Sequence, residues 1–581
     1  MPGDWTQMPE KHTLPNILRY QALDIPDKAA FIFRSPSSDE RHVLTYSDLY
    51  RLAGRWASVL HDKGLEKGDI LVNALPNSPE SAVVESAVLL AGAASVYGVC
   101  QQKDASDLVG RVRLSRAAAL VLDPDAMGGM WSALRSHFSW LGDDEAVVST
   151  SLPDLKFVFL VRRGFGQETE SPDGDIRNQA SDTNAVSHLE KPAGRERVGG
   201  KDFLKSLREM PDAKHYEADV DMQDVCTVFA TSGSTGAQKL VVFPHKTYTS
   251  VWKDFSKSGR SGVEYNNGQM GWVSSFVGNT IMAGSTRVLC DARQGIPTDM
   301  AAFIFRSILE ENAAGAVLPV PYLQALADLL AASGRREPLL DLVRIGTQPI
   351  TKQIVRTASV LARRVAVSYG SSEMLVMAST SVTDPENFED YFAGSLFPGV
   401  EVRIRDEHGE DVGMGTRGEI HVKTPYAFSG YLNAPDVTSA AHTKDGYFRT
   451  GDIGWLDENG CLYTEGRGVD AFMHGGQIIY PALIENKLRQ CPGVEGALVV
   501  GVPHPLLINE LCACVVAESP DVSMEDVRAF MEKDIVMEQE AIRIVKPSYY
   551  LPFEAFPLTP TEKYDRKEVR RRAMERLAKS K

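Results

Sequence analysis

Residues 231–239 read Thr-Ser-Gly-Ser-Thr-Gly-Ala-Gln-Lys, and they follow an apolar, partly β-branched run at residues 225–230. The apolar run predicts a buried strand that opens into a loop of glycines and hydroxyl side chains. Such a loop suits a polyphosphate, because glycines let the backbone come close, N–H and hydroxyl groups donate to phosphate oxygens, and Lys239 carries positive charge. The spacing is not that of a Walker A motif, since Gly233 and Gly236 are three apart and Leu240 follows the lysine. By itself the stretch fits a phosphate loop and an ordinary surface turn equally well.

The composition limits the classes of function. A chain of 581 residues exceeds a single hydrophobic core, so we expect two or more domains. The net charge of −15 argues against a nucleic-acid partner, which requires a basic face, but it is compatible with a local anion site. The seven cysteines lack paired Cys-x-x-Cys spacing, which argues against a disulfide framework or a zinc site. Cys512 and Cys514 are instead expected to form a pair on one face of a buried strand.

No targeting or membrane segment is predicted. The first five residues lack the basic and apolar regions of a signal peptide, and the end, Lys579-Ser580-Lys581, differs from the peroxisomal Ser-Lys-Leu address. Residues 81–100 are the most apolar stretch, but they include Glu85, so they predict a buried helix running into a strand and no transmembrane segment. The resulting expectation is a cytoplasmic protein.

The order of elements predicts an α/β fold. Apolar side chains recur at three- and four-residue steps over 45–66, as in a helix, and further helices alternate with strand-like runs. This alternation indicates a doubly wound parallel sheet. The candidate parallel strands are 69–74, 95–99, 117–122, 287–290, 316–319, 342–345 and 365–367. Residues 163–200 are polar and predict a flexible, solvated insertion.

The pattern changes after about residue 395. Residues 400–405, 418–422 and 460–463 alternate apolar and polar side chains, as half-buried antiparallel strands do. From about residue 470, mixed helices and strands predict a separate small α+β domain that ends in a basic helix.

Two stretches in the middle of the chain suggest binding chemistry. Ser368-Tyr-Gly-Ser-Ser-Glu373 follows a predicted parallel strand, where open α/β sheets form ligand crevices. Glu373 is then placed to hold Mg2+ against phosphate oxygens and Tyr369 to stack on a base, although a strand-end loop with a capping glutamate fits equally well. Asp452, after Thr450-Gly451, is expected in a tight turn as an acceptor for ribose hydroxyls; a turn-forming aspartate is the commoner explanation.

Two later stretches add cations. Gly466-Arg467-Gly468 combines a backbone pivot with a fixed positive charge, and Lys563 precedes the basic tail. A lone tail lysine is normally exposed and inert. The joint order and separation of these stretches carry more weight than any one of them.

This combination resembles the adenylate-forming superfamily, which includes acyl-CoA synthetases, beetle luciferases and the adenylation domains of non-ribosomal peptide synthetases. The resemblance extends from Leu44-Thr45-Tyr46 through Gly68-Asp69 and the Leu75–Glu80 run to Lys563. It implies a large N-terminal domain, residues 1–468, of doubly wound parallel-type sheets with a β-rich subdomain. A small, mobile α+β C-terminal domain, residues 469–581, would follow.

The resemblance also implies roles for matching positions. Residues 231–239 match the mobile phosphate loop, 346–349 the adenine-side loop, and 475–476 the hairpin that the family swings toward the site for thioester formation. The residues so implied to bind nucleotide or coenzyme A are Thr231, Ser232, Gly233, Ser234, Thr235, Gly236, Gly346, Thr347, Gln348, Tyr369, Gly370, Ser372, Asp452, Arg467, Gly475 and Gly476. The implied catalytic residues are Lys239, Glu373 and Lys563, with Glu373 as the Mg2+ ligand.

The acyl pocket is less well defined. Trp272 and Phe276 lie where the family builds part of its substrate pocket, but core packing explains Trp272 as well, and His245 is expected to be structural. The sequence departs from the family at Gln238, usually Pro, at Val469, the hinge position, and at Glu562, usually Gly.

The implied function is ATP- and Mg2+-dependent activation of a short, medium or aromatic carboxylic acid to an acyl-adenylate, followed by transfer to coenzyme A, with a place in fatty acid metabolism. Three alternatives stay open: adenylation for a carrier-protein thiol supplied in trans, luciferase-like oxidation of an adenylate, and a scaffold that keeps only nucleotide binding.

Overall fold

The computed structural model describes residues 12–98, 105–127, 130–142, 145–161, 203–231, 239–255, 262–346, 348–468, 472–474, 477–479, 481–504, 508–533, 546–559 and 563–579. The insertion predicted at 163–200 lies outside them. The helices are α1 (Leu14–Asp24), α2 (Tyr46–Asp62), α3 (Pro79–Leu90), α4 (Ser106–Ser115), α5 (Pro124–Met127), α6 (Met130–Arg135), α7 (Phe203–Glu209), α8 (His245–Phe255), α9 (Val277–Ala283), α10 (Met300–Glu310), α11 (Leu323–Ala332), α12 (Lys352–Leu361), α13 (Pro435–Ala440), α14 (Pro481–Arg489), α15 (Met524–Lys533) and α16 (Arg566–Lys579).

The strands up to residue 317 are β1 (Ala29–Arg34), β2 (Arg41–Thr45), β3 (Ile70–Asn73), β4 (Ala94–Tyr97), β5 (Ala119–Leu122), β6 (Ser139–Trp140), β7 (Val147–Val148), β8 (Phe157–Leu160), β9 (Val225–Thr231), β10 (Lys239–Pro244), β11 (Val263–Tyr265), β12 (Thr286–Cys290) and β13 (Gly315–Val317). The later strands are β14 (Leu340–Gly346), β15 (Ala362–Ser371), β16 (Leu375–Val382), β17 (Phe392–Leu396), β18 (Glu401–Arg405), β19 (Gly418–Lys423), β20 (Gly430–Tyr431), β21 (Phe448–Leu456), β22 (Leu462–Arg467), β23 (Phe472–His474), β24 (Gln477–Ile479), β25 (Val494–His504), β26 (Ile508–Ala517) and β27 (Tyr549–Phe553).

Local sequence explains where the predicted helices begin and end. The Thr45 hydroxyl accepts the Asp48 N–H at 3.0 Å and so caps α2, and Gly64, at φ +91°, follows its end. Ser78 caps α3 by accepting the Ser81 N–H at 3.1 Å, with Pro79 in the first turn. None of the helices among the described residues is both long and apolar enough to cross a bilayer.

Two large sheets form the N-terminal part of the described chain. One has thirteen strands in the order β18-β19-β21-β22-β17-β16-β15-β14-β13-β11-β12-β1-β2, and the other has seven in the order β20-β10-β9-β4-β3-β5-β8. The pairs from β1–β12 through β11, β13 and β14 to β15 are parallel. In the second sheet β9, β4, β3, β5 and β8 are likewise parallel. The predicted α/β fold is therefore confirmed.

Side-chain alternation divides the core into layers. Phe31 of β1 belongs to the cluster between the two sheets, together with Leu49 of α2 and Phe229 of β9, whereas Ile32 packs on the opposite face under α10–α12. On the outer face of the second sheet, Val72 packs with Leu108 of α4. Helices thus cover the outer faces and also lie between the sheets, which buries both faces of the parallel strands.

The β-rich region is continuous with the larger sheet. Strands β16 to β19, β21 and β22 pair antiparallel, as the alternating pattern predicts, and β16 joins them to the parallel part through β15. The C-terminal domain has its own five-stranded sheet, with α14 and α15 packed on one face and α16 on the other. Cys512 and Cys514 share the α16 face, as predicted, and the six described cysteines are free thiols. The boundary at 468/469 stays a prediction.

Candidate active site

The carboxyl ends of the parallel strands bring several predicted residues to one edge. Strand β14 ends at Gly346 and its neighbour β15 at Ser371, with Gly346 opposite Ser368. A Cβ atom on Gly346 would lie 2.6 Å from the Ser368 carbonyl oxygen, so the close approach of the strands requires glycine here. Thr347 lies outside the described residues, and Gln348 follows it.

Glu373 lies in the turn that joins β15 to β16, next to Ser372. Its Oε1 accepts a hydrogen bond from the Tyr431 hydroxyl at 2.9 Å, and its backbone carbonyl accepts the Phe428 N–H at 2.8 Å. Gly370 allows this turn, because a Cβ atom there would lie 2.1 Å from the Leu375 carbonyl oxygen. The carboxylate is therefore held in one orientation at the strand end.

Lys239, on the strand β10 that pairs with the strand of Tyr431, contacts the same tyrosine. It opens β10 directly opposite Thr231, the last residue of β9, so the predicted phosphate loop connects two paired strands. Its Nζ lies 4.8 Å from the centroid of the Tyr431 ring, a cation–π distance. Residues 232–238, which include Ser232, Gly233, Ser234, Thr235 and Gly236, lie outside the described residues. Tyr431 thus contacts both a predicted cation and the predicted metal ligand.

Tyr431 was missed by the sequence reasoning. It lies on the two-residue strand β20, which pairs with β10, opposite Val241. Nothing in Gly430-Tyr431 marks the ring as functional, because its contacts are with residues 58 and about 190 positions away.

Asp452 is held against Tyr369. The Tyr369 hydroxyl donates to Asp452 Oδ2 at 2.6 Å, and the Asp452 N–H donates to the Thr450 hydroxyl at 3.0 Å. The expected tight turn at 450–452 is wrong, because these residues lie inside β21, with Gly451 at φ +72°. Backbone pairing places Asp452 opposite Arg467 of β22, so the predicted ribose pair is adjacent in the sheet.

Other predicted residues lie apart from this group. Phe276 is 1 % exposed and packs edge-on against Phe229 and Tyr248, with ring centroids 5.7 and 5.5 Å away, whereas Trp272 is half-buried in the loop that follows β11. Lys563 is exposed in the C-terminal domain, where its N–H donates to the Thr559 hydroxyl at 3.1 Å. Gly475 and Gly476 lie outside the described residues.

His245 has the structural role that was expected. Its Nδ1 accepts the Leu14 N–H at 3.1 Å, so the ring must be neutral at that nitrogen. Burial lowers the pKa of His245 to about 4, which keeps the imidazole uncharged at neutral pH.

A carboxylate outside the predicted set joins the start of α12 to the C-terminal domain. Asp390 Oδ1 accepts the Lys352 N–H at the start of α12 at 2.7 Å, and its Oδ2 accepts the Asn486 side-chain amide of α14 at 2.6 Å. The next residue, Tyr391, donates its N–H to the Ile350 carbonyl at 2.7 Å and has φ +71°, a costly conformation for a tyrosine.

No group of three or more metal-ligating side chains is present among the described residues. Mg2+ in nucleotide enzymes is commonly bound by one or two carboxylates together with substrate phosphates, and the single oriented carboxylate of Glu373 fits that arrangement.

In open α/β sheets, ligands bind in the crevice outside the carboxyl ends of the parallel strands, and Gly346, Ser371 and Glu373 lie at that edge here. Sequence comparison gives the family: AMP-binding enzyme matches residues 18–432, and AMP-binding enzyme C-terminal domain matches residues 483–563. The chain belongs to the AMP-binding enzymes of the adenylate-forming superfamily, whose reaction is the ATP-dependent adenylation of a carboxylic acid.

Two curated proteins illustrate the range of relatives. The chain is 26% identical over 542 residues to 2-hydroxy-7-methoxy-5-methyl-1-naphthoate–CoA ligase of Streptomyces carzinostaticus, and the matched residues cover 91% of this chain and 88% of that protein. It is 26% identical over 546 residues to 2,3-dihydroxybenzoate-AMP ligase of Bacillus subtilis strain 168, and the matched residues cover 92% of this chain and 89% of that protein. Both names refer to aryl acids, so they give no support to the expected place in fatty acid metabolism.

Solved structures share the fold. The anthranilate CoA ligase AuaEII in complex with anthranoyl-AMP superposes with a TM-score of 0.76 at 16% identity, covering 99% of this chain and 100% of that chain. ATP-bound MatB from Rhodopseudomonas palustris gives 0.72 at 20% identity, covering 97% and 99%.

Proposed function

We propose that the protein activates an aromatic carboxylic acid with ATP and then transfers the acyl group to coenzyme A. The observation that carries the proposal is that residues far apart in sequence are brought together: Lys239 and Glu373 both contact Tyr431, and Asp452 accepts a hydrogen bond from Tyr369, on the strand that leads to Glu373. The aromatic class is supported by the names of the two curated relatives, which are ligases of aryl acids.

The first half-reaction joins two anions. A carboxylate oxygen of the acid attacks the α-phosphorus of ATP, an O–P bond forms, and the bond to pyrophosphate breaks. No general base is needed, because the carboxylate is already ionised at neutral pH. Lys239 and Lys563 would stabilise the negative charge that accumulates, and Mg2+, when bound beside Glu373, supplies further neutralisation of the phosphates.

The chain's own residues orient the reactants. Tyr431 fixes the Glu373 carboxylate, and Asp452, positioned by Tyr369 and Thr450, would accept the ribose hydroxyls. In the second half-reaction the sulfur of the thiol attacks the acyl carbon, the C–O bond to AMP breaks, and the thiol proton is lost to solvent. A rotation of the C-terminal domain between the two steps would withdraw Lys563 and present Gly475-Gly476.

The proposal is tested with purified protein, ATP, Mg2+ and a panel of aryl and aliphatic acids. Acid-dependent pyrophosphate exchange with an aryl acid, followed by acyl-CoA when coenzyme A is added, supports it. Pyrophosphate exchange with aliphatic acids alone would exclude aromatic acids as the substrate class. If no acid supports exchange, the remaining alternative is a scaffold that binds nucleotide without catalysis.

Lys563→Ala tests the role of the tail lysine. We expect exchange to fall by about 100-fold or more while ATP binding is nearly unchanged, since a lost transition-state cation costs catalysis more than binding. The matched control is Lys567→Ala, which removes another exposed lysine of the same region. Equal activity of the two variants would remove Lys563 from the mechanism.

A carrier-protein thiol is the second candidate acceptor. It is favoured by a relative named salicyl-AMP ligase / salicyl-S-ArCP synthetase from Mycobacterium tuberculosis, 25% identical over 574 residues. Exchange without acyl-CoA formation, together with acylation of an added aryl carrier protein, would select it.

A further inference from the structure

A loop at residues 266–275 begins at the same sheet edge as the candidate active site. It follows β11, which runs parallel to β13, β14 and β15, so it starts at the same sheet edge as the ends of β14 and β15. It also touches the second sheet, because Gly271 lies so close to Tyr97, the last residue of β4, that a Cβ atom on Gly271 would be 2.2 Å from the Tyr97 Cβ. The loop therefore lies between the carboxyl edges of the two sheets, and it carries Trp272.

A buried arginine holds this loop from the sheet side. Arg287 of β12 is 3 % exposed, and its guanidinium donates to three carbonyl oxygens that flank or lie in the loop. The acceptors are Asn266 at 2.8 Å, Gly268 at 2.5 Å and Ser275. The facing carboxylate on β11, Glu264, is directly opposite Arg287 but forms its ion pair with Arg344 at 2.7 Å. Three of the five N–H donors of Arg287 thus bond to the loop backbone.

A buried asparagine holds the loop from the other side. The Asn77 amide donates to the Asn267 carbonyl at 3.3 Å and the Gly268 carbonyl at 3.1 Å. Its Oδ1 accepts the Met270 N–H at 3.1 Å and the Tyr97 hydroxyl at 3.3 Å. Asn77 precedes α3, about 190 residues from the loop in sequence, so these contacts form only when both sheets are assembled.

We propose that Arg287 and Asn77 are positioning residues that determine which carboxylic acid is accepted. By bonding the backbone of residues 266–275 on both sides, they fix the wall that carries Trp272, and a fixed wall selects among acids by shape. This inference rests on the proposed function, because it takes the acid to bind beside this loop. Selectivity of this kind depends on supporting residues, because a wall displaced by about 1 Å no longer fits one ligand better than another.

The test measures acid-dependent pyrophosphate exchange for an accepted aryl acid and a ring-substituted analogue. Arg287→Met and Asn77→Ala are expected to raise the KM for the preferred acid by about 10-fold or more and to narrow its preference over the analogue, with the KM for ATP unchanged. Arg287→Lys, which keeps the charge but loses the planar fork, is expected to restore the preference only in part. Arg344→Met is the matched control, because it removes a buried cation from the same sheet that bonds to Glu264 rather than to the loop.

Unchanged acid selectivity in folded Asn77→Ala protein, or equal increases in the KM for acid and ATP, would overturn the inference. Asn77→Ala keeps it testable if Arg287→Met does not fold, because the two residues hold the same loop. Amide hydrogen exchange gives a readout independent of activity: residues 266–275 should exchange faster in both variants than in Arg344→Met. If the wild-type protein activates no acid at all, the proposed function fails. If the wild-type protein shows acid-dependent pyrophosphate exchange and the variants have the same acid selectivity, only the positioning roles are refuted.

Discussion

Tyr431→Phe removes one oxygen from the centre of the candidate site. The hydroxyl of this buried tyrosine donates to the Glu373 carboxylate at 2.9 Å, and a hydrogen bond to a charged group contributes about 1.5–3 kcal/mol. The phenyl ring of the variant keeps the contact with Lys239, 4.8 Å from the ring centroid. If the bond is needed to orient Glu373 in the transition state, its loss corresponds to a decrease of about 10- to 150-fold in kcat/KM for adenylation.

The assay is acid-dependent pyrophosphate exchange over a range of Mg2+ concentrations. Because a misoriented carboxylate binds metal less well, the variant should also need more Mg2+ for half-maximal activity. Tyr426→Phe is the matched control: Tyr426 is similarly buried, but its hydroxyl donates to the Pro398 carbonyl at 3.0 Å rather than to a site carboxylate. A Tyr431→Phe protein that is folded and has the kcat/KM and Mg2+ requirement of the Tyr426→Phe control would refute the reasoning.

Two further predictions concern stability and the domain contact. Glu85 is fully buried between Ser95 and Asn73, and burial raises its pKa to about 7 from an ordinary 4.5. Because the folded state holds this proton more tightly than the unfolded state, the contribution of Glu85 to the free energy of unfolding is complete below pH 4.5, and about 3 kcal/mol of it is lost as the pH rises from 4.5 through 7. Glu85→Gln should therefore reduce the difference in urea-unfolding free energy between pH 5 and pH 8, and an unchanged difference would exclude Glu85 as its source. Asn486→Ala removes one partner of Asp390 and, at about 1.5–3 kcal/mol for a hydrogen bond to a carboxylate, should change the ratio of adenylation to thioester-formation rates by about 10- to 150-fold in single-turnover measurements. The exposed Gln490→Ala, on the same segment, should leave that ratio unchanged, and equal ratios in both variants would contradict a role for the contact.

The sequence predicted the parts of the fold that local patterns specify. Runs such as 342–345 and 365–367 were recognised because central parallel strands are apolar on both faces, and α2 because of its helical spacing. At 450–452 the sequence predicts a turn, because Gly-Asp is a common turn pair, whereas pairing with β19 and β22 keeps these residues in β21. The continuity of the β-rich strands with the parallel sheet likewise depends on pairing between distant segments.

In the candidate site, too, some residues are predicted from local sequence patterns and others depend on contacts between distant segments. Lys239, Glu373 and Asp452 could be found because charged residues follow recognisable strands or glycines. Tyr431 and Asn77 could not, because an uncharged side chain gains its role from contacts made after the sheets assemble. Those contacts join segments that are distant in sequence, so no local spacing of residues predicts them.

The two hydrogen bonds of Asp390 have a thermodynamic consequence. One carboxylate bonds both the start of α12 and the C-terminal domain, so the proposed rotation of that domain would exchange the Asn486 amide for another partner, such as water. If a bound nucleotide favours the domain arrangement in which the Asp390–Asn486 bond is intact, that arrangement must bind the nucleotide more tightly. By linkage, the two free-energy differences are equal. The release of product and the ability to accept the thiol would then both depend on the same equilibrium between the two arrangements of the C-terminal domain.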